Sequence, residues 1–212
     1  MFDYSLAHWG TFFAAAILLN LSPGPDIAFI LAQTARNGQR AGFAAMLGIW
    51  SGAFLHVLFA TLGLSAILVS SVLAFTAVKW LGALYLIWLG IQALTTRGAT
   101  YLPQTEGRVL PHGRIFRQGI LVAALNPKVA IFFLAFLPQF VEAGAGPVGA
   151  QLFLHGTLII VVAAFIEPVL VLMGARLTRY LAAHGRVALW VDRGIGSIFI
   201  GLGLRLALSE RN

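Results

Sequence analysis

Asn20-Leu21-Ser22-Pro23-Gly24-Pro25-Asp26 interrupts an apolar run over 6–35. About 20 apolar residues cross a bilayer as a helix, and this run is long enough to do so. Its middle nevertheless carries two prolines, a glycine and a carboxylate. Pro23 and Pro25 each remove an N–H and clash with the preceding turn, so no straight helix passes through them. The residue before each proline is also pushed out of the α region. A backbone broken in hydrocarbon leaves polar groups unpaired, so such a break survives only where it packs in protein or lines a cavity. With Gly24 as N-cap and Pro25 at N1, where the missing donor is no loss, the second half of the run begins a new helix.

A second break lies at Asn126-Pro127-Lys128, inside the apolar run 119–141. Asparagine is a preferred N-cap and proline a preferred N1, so this is a helix start in mid-membrane. Aligning the two prolines sets Pro25-Asp26-Ile27-Ala28-Phe29 against Pro127-Lys128-Val129-Ala130-Ile131. The small-residue run Gly82-Ala83-Leu84-Tyr85 is echoed by Gly196-Ser197-Ile198-Phe199.

Composition sets the solvent. Of 212 residues, 59% are hydrophobic and 10% charged, and the mean hydropathy is +0.90. Soluble domains carry about 25% charged residues, so this chain belongs in a bilayer. Six apolar stretches, 6–35, 42–68, 72–95, 118–141, 148–174 and 187–208, are each long enough to span. The N-terminus has no basic residue before its apolar run, unlike a signal peptide, and is expected to remain as the first span. The absence of cysteine rules out a disulfide framework and thiol redox chemistry.

The net charge of +7 is not the mark of a nucleic-acid binder, because it is distributed by topology. Arg36, Arg40, Arg97, Arg108, Arg114, Arg117, Arg176, Arg179, Arg186 and Arg193 fall in or beside one alternating set of connections. Lys79, Arg205 and Arg211 fall in the other, and Lys128 lies within a span. The positive-inside rule then puts the first set in the cytoplasm and both termini in the periplasm. The expected fold is an all-α membrane protein of six transmembrane helices, arranged as two inverted three-helix repeats. Helices 1 and 4 are broken at Pro23/Pro25 and at Pro127. The first repeat is expected over 1–95, a cytoplasmic loop over 96–116 and the second repeat over 117–212. Inverted repeats with helices broken at matching places are a pattern of secondary transporters.

Three ionisable residues lie deep in these spans. Asp26, Lys128 and Glu167 are each about 14–16 Å, at 1.5 Å per residue, from the arginine that marks the cytoplasmic face of their span. In a core about 30 Å thick they sit near the midplane, where charges are costly and usually functional. Lys128 and Asp26 read either as a buried ion pair that satisfies both or as part of a polar site. In the second reading, two half-helix N-termini and Lys128 attract a carboxylate, while Asp26 and Glu167 take an ammonium group or a proton. A site carrying both signs suits a zwitterion. His56 in the second span reads as a neutral histidine bonded to a neighbouring helix, and Gly48 with Gly52 forms a GxxxG pattern of close helix approach. No Ser/His/Asp set, HExxH or paired catalytic carboxylates appear at recognisable spacing.

Asn20-Leu21-Ser22-Pro23-Gly24-Pro25, Tyr85-Leu86-Ile87-Trp88-Leu89-Gly90, Asn126-Pro127-Lys128 and Phe136-Leu137-Pro138-Gln139-Phe140 together resemble the signatures of the LysE/RhtB amino-acid exporter family, in order and over nearly the whole chain. The resemblance implies a proton-driven exporter of amino acids or their derivatives in the bacterial inner membrane. Family members often carry an acidic residue in the fifth span, where this chain has Glu167. Substrate-binding residues are then expected among Ser22, Gly24, Asp26, Asn126, Lys128 and Glu167, with Glu167 or Asp26 carrying the proton. The partners are an amino acid, protons and the lipid bilayer. No cofactor, metal, nucleic acid or catalytic residue is expected. The glycine-rich faces leave room for a homo-oligomer as well as for packing within one chain. The alternative is a divalent-metal or other cation exporter of the same clan, using His56, His155, Asp26 and Glu167. Lys128 opposes it, because a fixed positive charge repels a cation.

Overall fold

The computed structural model describes residues 4–22, 24–64 and 110–183 continuously, together with scattered helical residues within 76–95 and 186–207. Every regular element among them is helical: α1 (Leu6–Leu21), α2 (Pro25–Asn37), α3 (Gln39–Phe59), α4 (His112–Ala124), α5 (Pro127–Ala135) and α6 (Val148–Ala183). A π-helical turn, Ala60–Leu64, extends α3, and a 3₁₀ turn, Leu137–Phe140, follows α5.

Local chemistry explains the ends of these helices. Ser5 caps α1 by accepting from the His8 N–H at 3.1 Å. Pro25 opens α2 behind an extended Gly24, and Pro127 opens α5 behind Asn126, whose side chain accepts from the Lys128 N–H. Both starts are as the sequence predicts. Gly38, at φ 82, closes α2 and lets the chain reverse into α3, a conformation that favours glycine.

Two segments, Gln39–Gly63 and Val148–Gly174, are long and apolar enough to cross a bilayer. Two helix pairs pass the same test when each is counted together. These are α1 with α2, bent by 50°, and α4 with α5 and its 3₁₀ turn, bent by 49°. Large apolar side chains face outward on these helices, with Leu125 and Phe165 each 77% exposed, an exterior suited to lipid rather than water. The first, second, fourth and fifth apolar stretches are thus accounted for. The third and sixth, with Tyr85, lie mostly outside the described residues, as does Pro23. Trp80 and Trp88 are described, both helical and about half exposed. Two helices outrun their apolar stretches. The α4 helix begins at His112, ahead of the apolar run, and α6 continues through Arg176 and Arg179, its 36 residues spanning about 54 Å at 1.5 Å each.

The core has two parts. Phe12, Ala16 and Leu19 of α1 meet Phe132, Phe136, Phe140 and Leu152 on one side. On the other, Ile30 of α2, Ala45 and Ile49 of α3, Ile115 of α4 and Val171 of α6 close together. The α3 and α4 helices touch backbone to backbone at Gly48, Gly52 and Gly119. A Cβ built on Gly119 would stand 2.7 Å from the Ala45 carbonyl oxygen, and one on Gly52 2.5 Å from that of Ile120. The GxxxG pattern therefore serves an intrachain contact.

Candidate functional site

The two helix breaks converge on a half-open cavity of about 50 Å³, room for a few waters. Leu19, Asn20, Ser22, Gly24 and Asp26 line it from the first break, Lys128 and Val129 from the second, Trp50 from α3, and Ile159, Ala163 and Glu167 from α6. Of the expected site residues, Ser22, Gly24, Asp26, Lys128 and Glu167 are brought together at its wall. Asn126 is buried behind them and joins the two breaks: its Nδ2 donates to Asp26 Oδ2 at 2.9 Å, while its Oδ1 accepts from the Lys128 N–H at 3.0 Å.

Lys128 and Asp26 do not form the ion pair that one reading of the sequence allows. Lys128 Nζ reaches across the first break and donates to the carbonyl oxygens of Ser22 at 2.7 Å and Leu19 at 3.3 Å. These belong to the C-terminal end of α1, where unpaired carbonyls carry partial negative charge. An ammonium has three donors, so one remains after these two bonds. Gly24 makes the reach feasible, since a Cβ there would lie 3.3 Å from Lys128 Cδ and 3.4 Å from its Nζ.

Asp26 is left half-satisfied. Its Oδ1 is buried with no hydrogen-bond partner. The start of α2 is likewise unsatisfied by any side chain, because Gly24 offers no cap. Asp26, with one buried and unpartnered carboxylate oxygen, and Lys128 thus both belong to the wall of one small cavity, beside a helix N-terminus that no side chain caps. Glu167 is nearly fully buried and accepts from Trp50 Nε1–H at 2.7 Å.

Two residues at the cavity were not among the expected site residues. Trp50 reads as bilayer filler; its signal is that a buried indole N–H needs an acceptor. Asn20 Nδ2 donates to the Ala16 carbonyl at 2.8 Å and to the Ile159 carbonyl at 3.3 Å, fastening the first break to α6. The histidines weighed for a cation site lie elsewhere. His56 Nε2 bonds the Ala123 carbonyl at 3.1 Å, and His155 is bound to Gln151 and His8. Among the described residues no three His, Cys, Asp or Glu side chains are arranged to hold a metal ion.

Apolar helices able to cross a bilayer, two pairs of them broken around a half-open cavity with charged residues in its wall, define a multi-pass membrane protein built for transport. The chain belongs to the LysE type translocator family, whose model matches residues 17–210. It is 30% identical over 209 residues to the leucine efflux protein of Salmonella typhimurium (strain LT2), covering 97% of each chain. It is 27% identical over 205 residues to that of Enterobacter sp. (strain 638), again covering 97% of each. An uncharacterized membrane protein of Pseudomonas aeruginosa is 30% identical over 203 residues, or 93% of each chain. No solved structure gives a significant match.

Proposed function

We propose that this chain exports an amino acid, with leucine or a similar apolar side chain as the first candidate, in exchange for protons across the bacterial inner membrane. The observation that carries the reading is that Asp26, with an unpartnered carboxylate oxygen, and Lys128 line one cavity without pairing with each other. In this reading Asp26 takes the substrate's α-ammonium group. Its carboxylate binds at the α2 N-terminus and the remaining Lys128 donor. Ser22, Gly24 and Asn126 shape this pole. Once the cavity opens beyond its present volume, the apolar wall of Ile27, Ile49, Val129, Phe133 and Ile160 would face an aliphatic side chain, in keeping with the leucine named for the relatives. Glu167, or Asp26 in its place, exchanges the proton.

Six spans in two inverted repeats, over 1–95 and 117–212 around a cytoplasmic loop, accompany this reading, with both termini in the periplasm. The near-equal bends of 50° and 49° at Pro25 and Pro127 support the repeat, and the arginine distribution supports the orientation. Alternating access would rock one repeat against the other around the cavity.

The test is uptake by inside-out vesicles under an imposed pH gradient, with a panel of amino acids and wild type compared with Lys128→Ala. Accumulation of leucine or another apolar amino acid by wild type alone supports the reading. Transport of a divalent cation with no amino acid moved sinks it.

A further inference from the structure

A polar cluster lies outside the cavity, where the chain begins. His8 of α1 places Nδ1 2.7 Å from Glu142 Oε1, in the connection before α6. Its Nε2 lies 2.9 Å from Nε2 of His155 on α6. His155 Nδ1 lies 2.8 Å from the Gln151 carbonyl oxygen. We propose that Glu142, His8 and His155 form a second proton-binding site, which holds one ionisable proton among three side chains and takes it up through Glu142, the most exposed of them.

The proton count follows from donors and acceptors. A carbonyl oxygen only accepts, so His155 Nδ1 carries a hydrogen, and in the neutral ring Nε2 is then an acceptor. His8 Nε2 must donate to it. A carboxylate also only accepts, so His8 Nδ1 donates as well, and His8 is an imidazolium paired with Glu142. Moving that hydrogen onto the carboxyl gives the neutral form of the same one-proton state. With no such proton, lone pairs face each other across 2.7 or 2.9 Å. With a second, on His155, two N–H groups collide.

The arrangement also has a direction. Glu142 is 44% exposed at its side chain and His8 only 6%, while His155 is 1% exposed. Passage inward breaks the His8 Nε2–H bond as the same hydrogen bonds to His155 Nε2. His8 is left neutral and His155 charged. On α6, His155, Ile159, Ala163 and Glu167 follow at intervals of four, along one face, over about 18 Å. The last three line the cavity.

Gln151 braces the cluster. Its Oε1 accepts from the Tyr4 hydroxyl and the Glu142 N–H, each at 2.9 Å, and its Nε2 donates to the Glu142 and Gly146 carbonyls. Among the described residues, the titratable groups meeting here are Tyr4 ahead of α1, His8, Glu142 and His155. Tyr4 stacks on His8 at 4.3 Å. Burial and the Glu142 charge push its phenol up, so Tyr4 stays neutral and does not compete for the proton.

That this proton is the one exchanged for substrate rests on the proton-coupled reading above; the site itself does not. The test is nitrogen NMR of the histidine rings in the full chain in lipid nanodiscs, followed through pH. The expected result is one coupled step for His8 and His155. Glu142→Gln should displace its midpoint, because it removes the carboxylate that His8 Nδ1 faces at 2.7 Å. His8→Gln should leave His155 titrating alone at a changed midpoint. Independent titration of the two wild-type rings, or midpoints unmoved by Glu142→Gln, overturns the proposal. In proteoliposomes the pH midpoint of efflux should follow the NMR shift in Glu142→Gln. A wild type whose efflux ignores a pH gradient sinks the coupling reading and leaves the titration standing.

Discussion

Trp50 Nε1–H donates to Glu167 Oε2 at 2.7 Å, tying α3 to α6 inside the cavity across 117 residues of sequence. Hydrogen bonds to charged groups are worth about 1.5–3 kcal/mol, and this bond fixes where Glu167 points. Trp50→Phe keeps an aromatic body and removes only the donor. The expected outcome is a fall of about tenfold or more in efflux, by the same range, with membrane insertion intact. Efflux at the wild-type rate would show that Glu167 needs no orienting partner.

Lys128 is a structural fastener as well as a candidate ligand, because its ammonium closes the Ser22 and Leu19 carbonyls at the end of α1. Lys128→Met should therefore lower thermal stability in detergent, by about 1.5–3 kcal/mol for loss of charged hydrogen bonds, in addition to abolishing efflux. A lysine held only for substrate would leave the unfolding temperature of the empty protein unchanged, and that result would remove the fastening role.

These relationships mark how far the sequence could be read. Pro25, Pro127 and Asn126 were legible because proline and an N-cap asparagine act on the next few residues of their own chain. The expectation that Asp26, Lys128 and Glu167 share one level came from helical rise, and the three do line one cavity. What Lys128 touches was not. Its partners are backbone carbonyls 106 and 109 residues away, and every residue has a carbonyl, so composition cannot single these out. Trp50 and the His8–His155 contact, 147 residues apart, depend likewise on which helix faces meet. The sequence alone made a Lys128–Asp26 ion pair as reasonable as the observed division, in which Asn126 takes Asp26 and the α1 end takes Lys128.

Close packing of α3 on α4 gives a prediction independent of the cavity. A Cβ on Gly48 would run into the Phe116 carbonyl oxygen and stand 3.0 Å from Gly119 Cα. Both obstacles are backbone and cannot turn aside. Gly48→Ala should cost about 1–3 kcal/mol, the usual range for overpacking, read as a lower unfolding temperature. Gly10→Ala is the control: its Cβ meets nothing within 4 Å, and alanine is the better helix former, so no loss is expected. Equal behaviour of the two variants would mean that α3 and α4 are not in backbone contact.

Glu167→Gln separates proton exchange from architecture. The amide oxygen can still accept from Trp50 Nε1–H, so the α3–α6 link and the unfolding temperature should stay close to wild type. The side chain can no longer take up or release a proton. Net efflux driven by a pH gradient should therefore be lost. Exchange of labelled for unlabelled substrate should persist, because a carrier that returns loaded needs no proton. Parallel measurements of gradient-driven efflux and of exchange in proteoliposomes check this. Loss of both together would place Glu167 in substrate binding. Undiminished gradient-driven efflux would remove it from coupling and turn attention to Asp26, whose Oδ1 is buried without a hydrogen-bond partner.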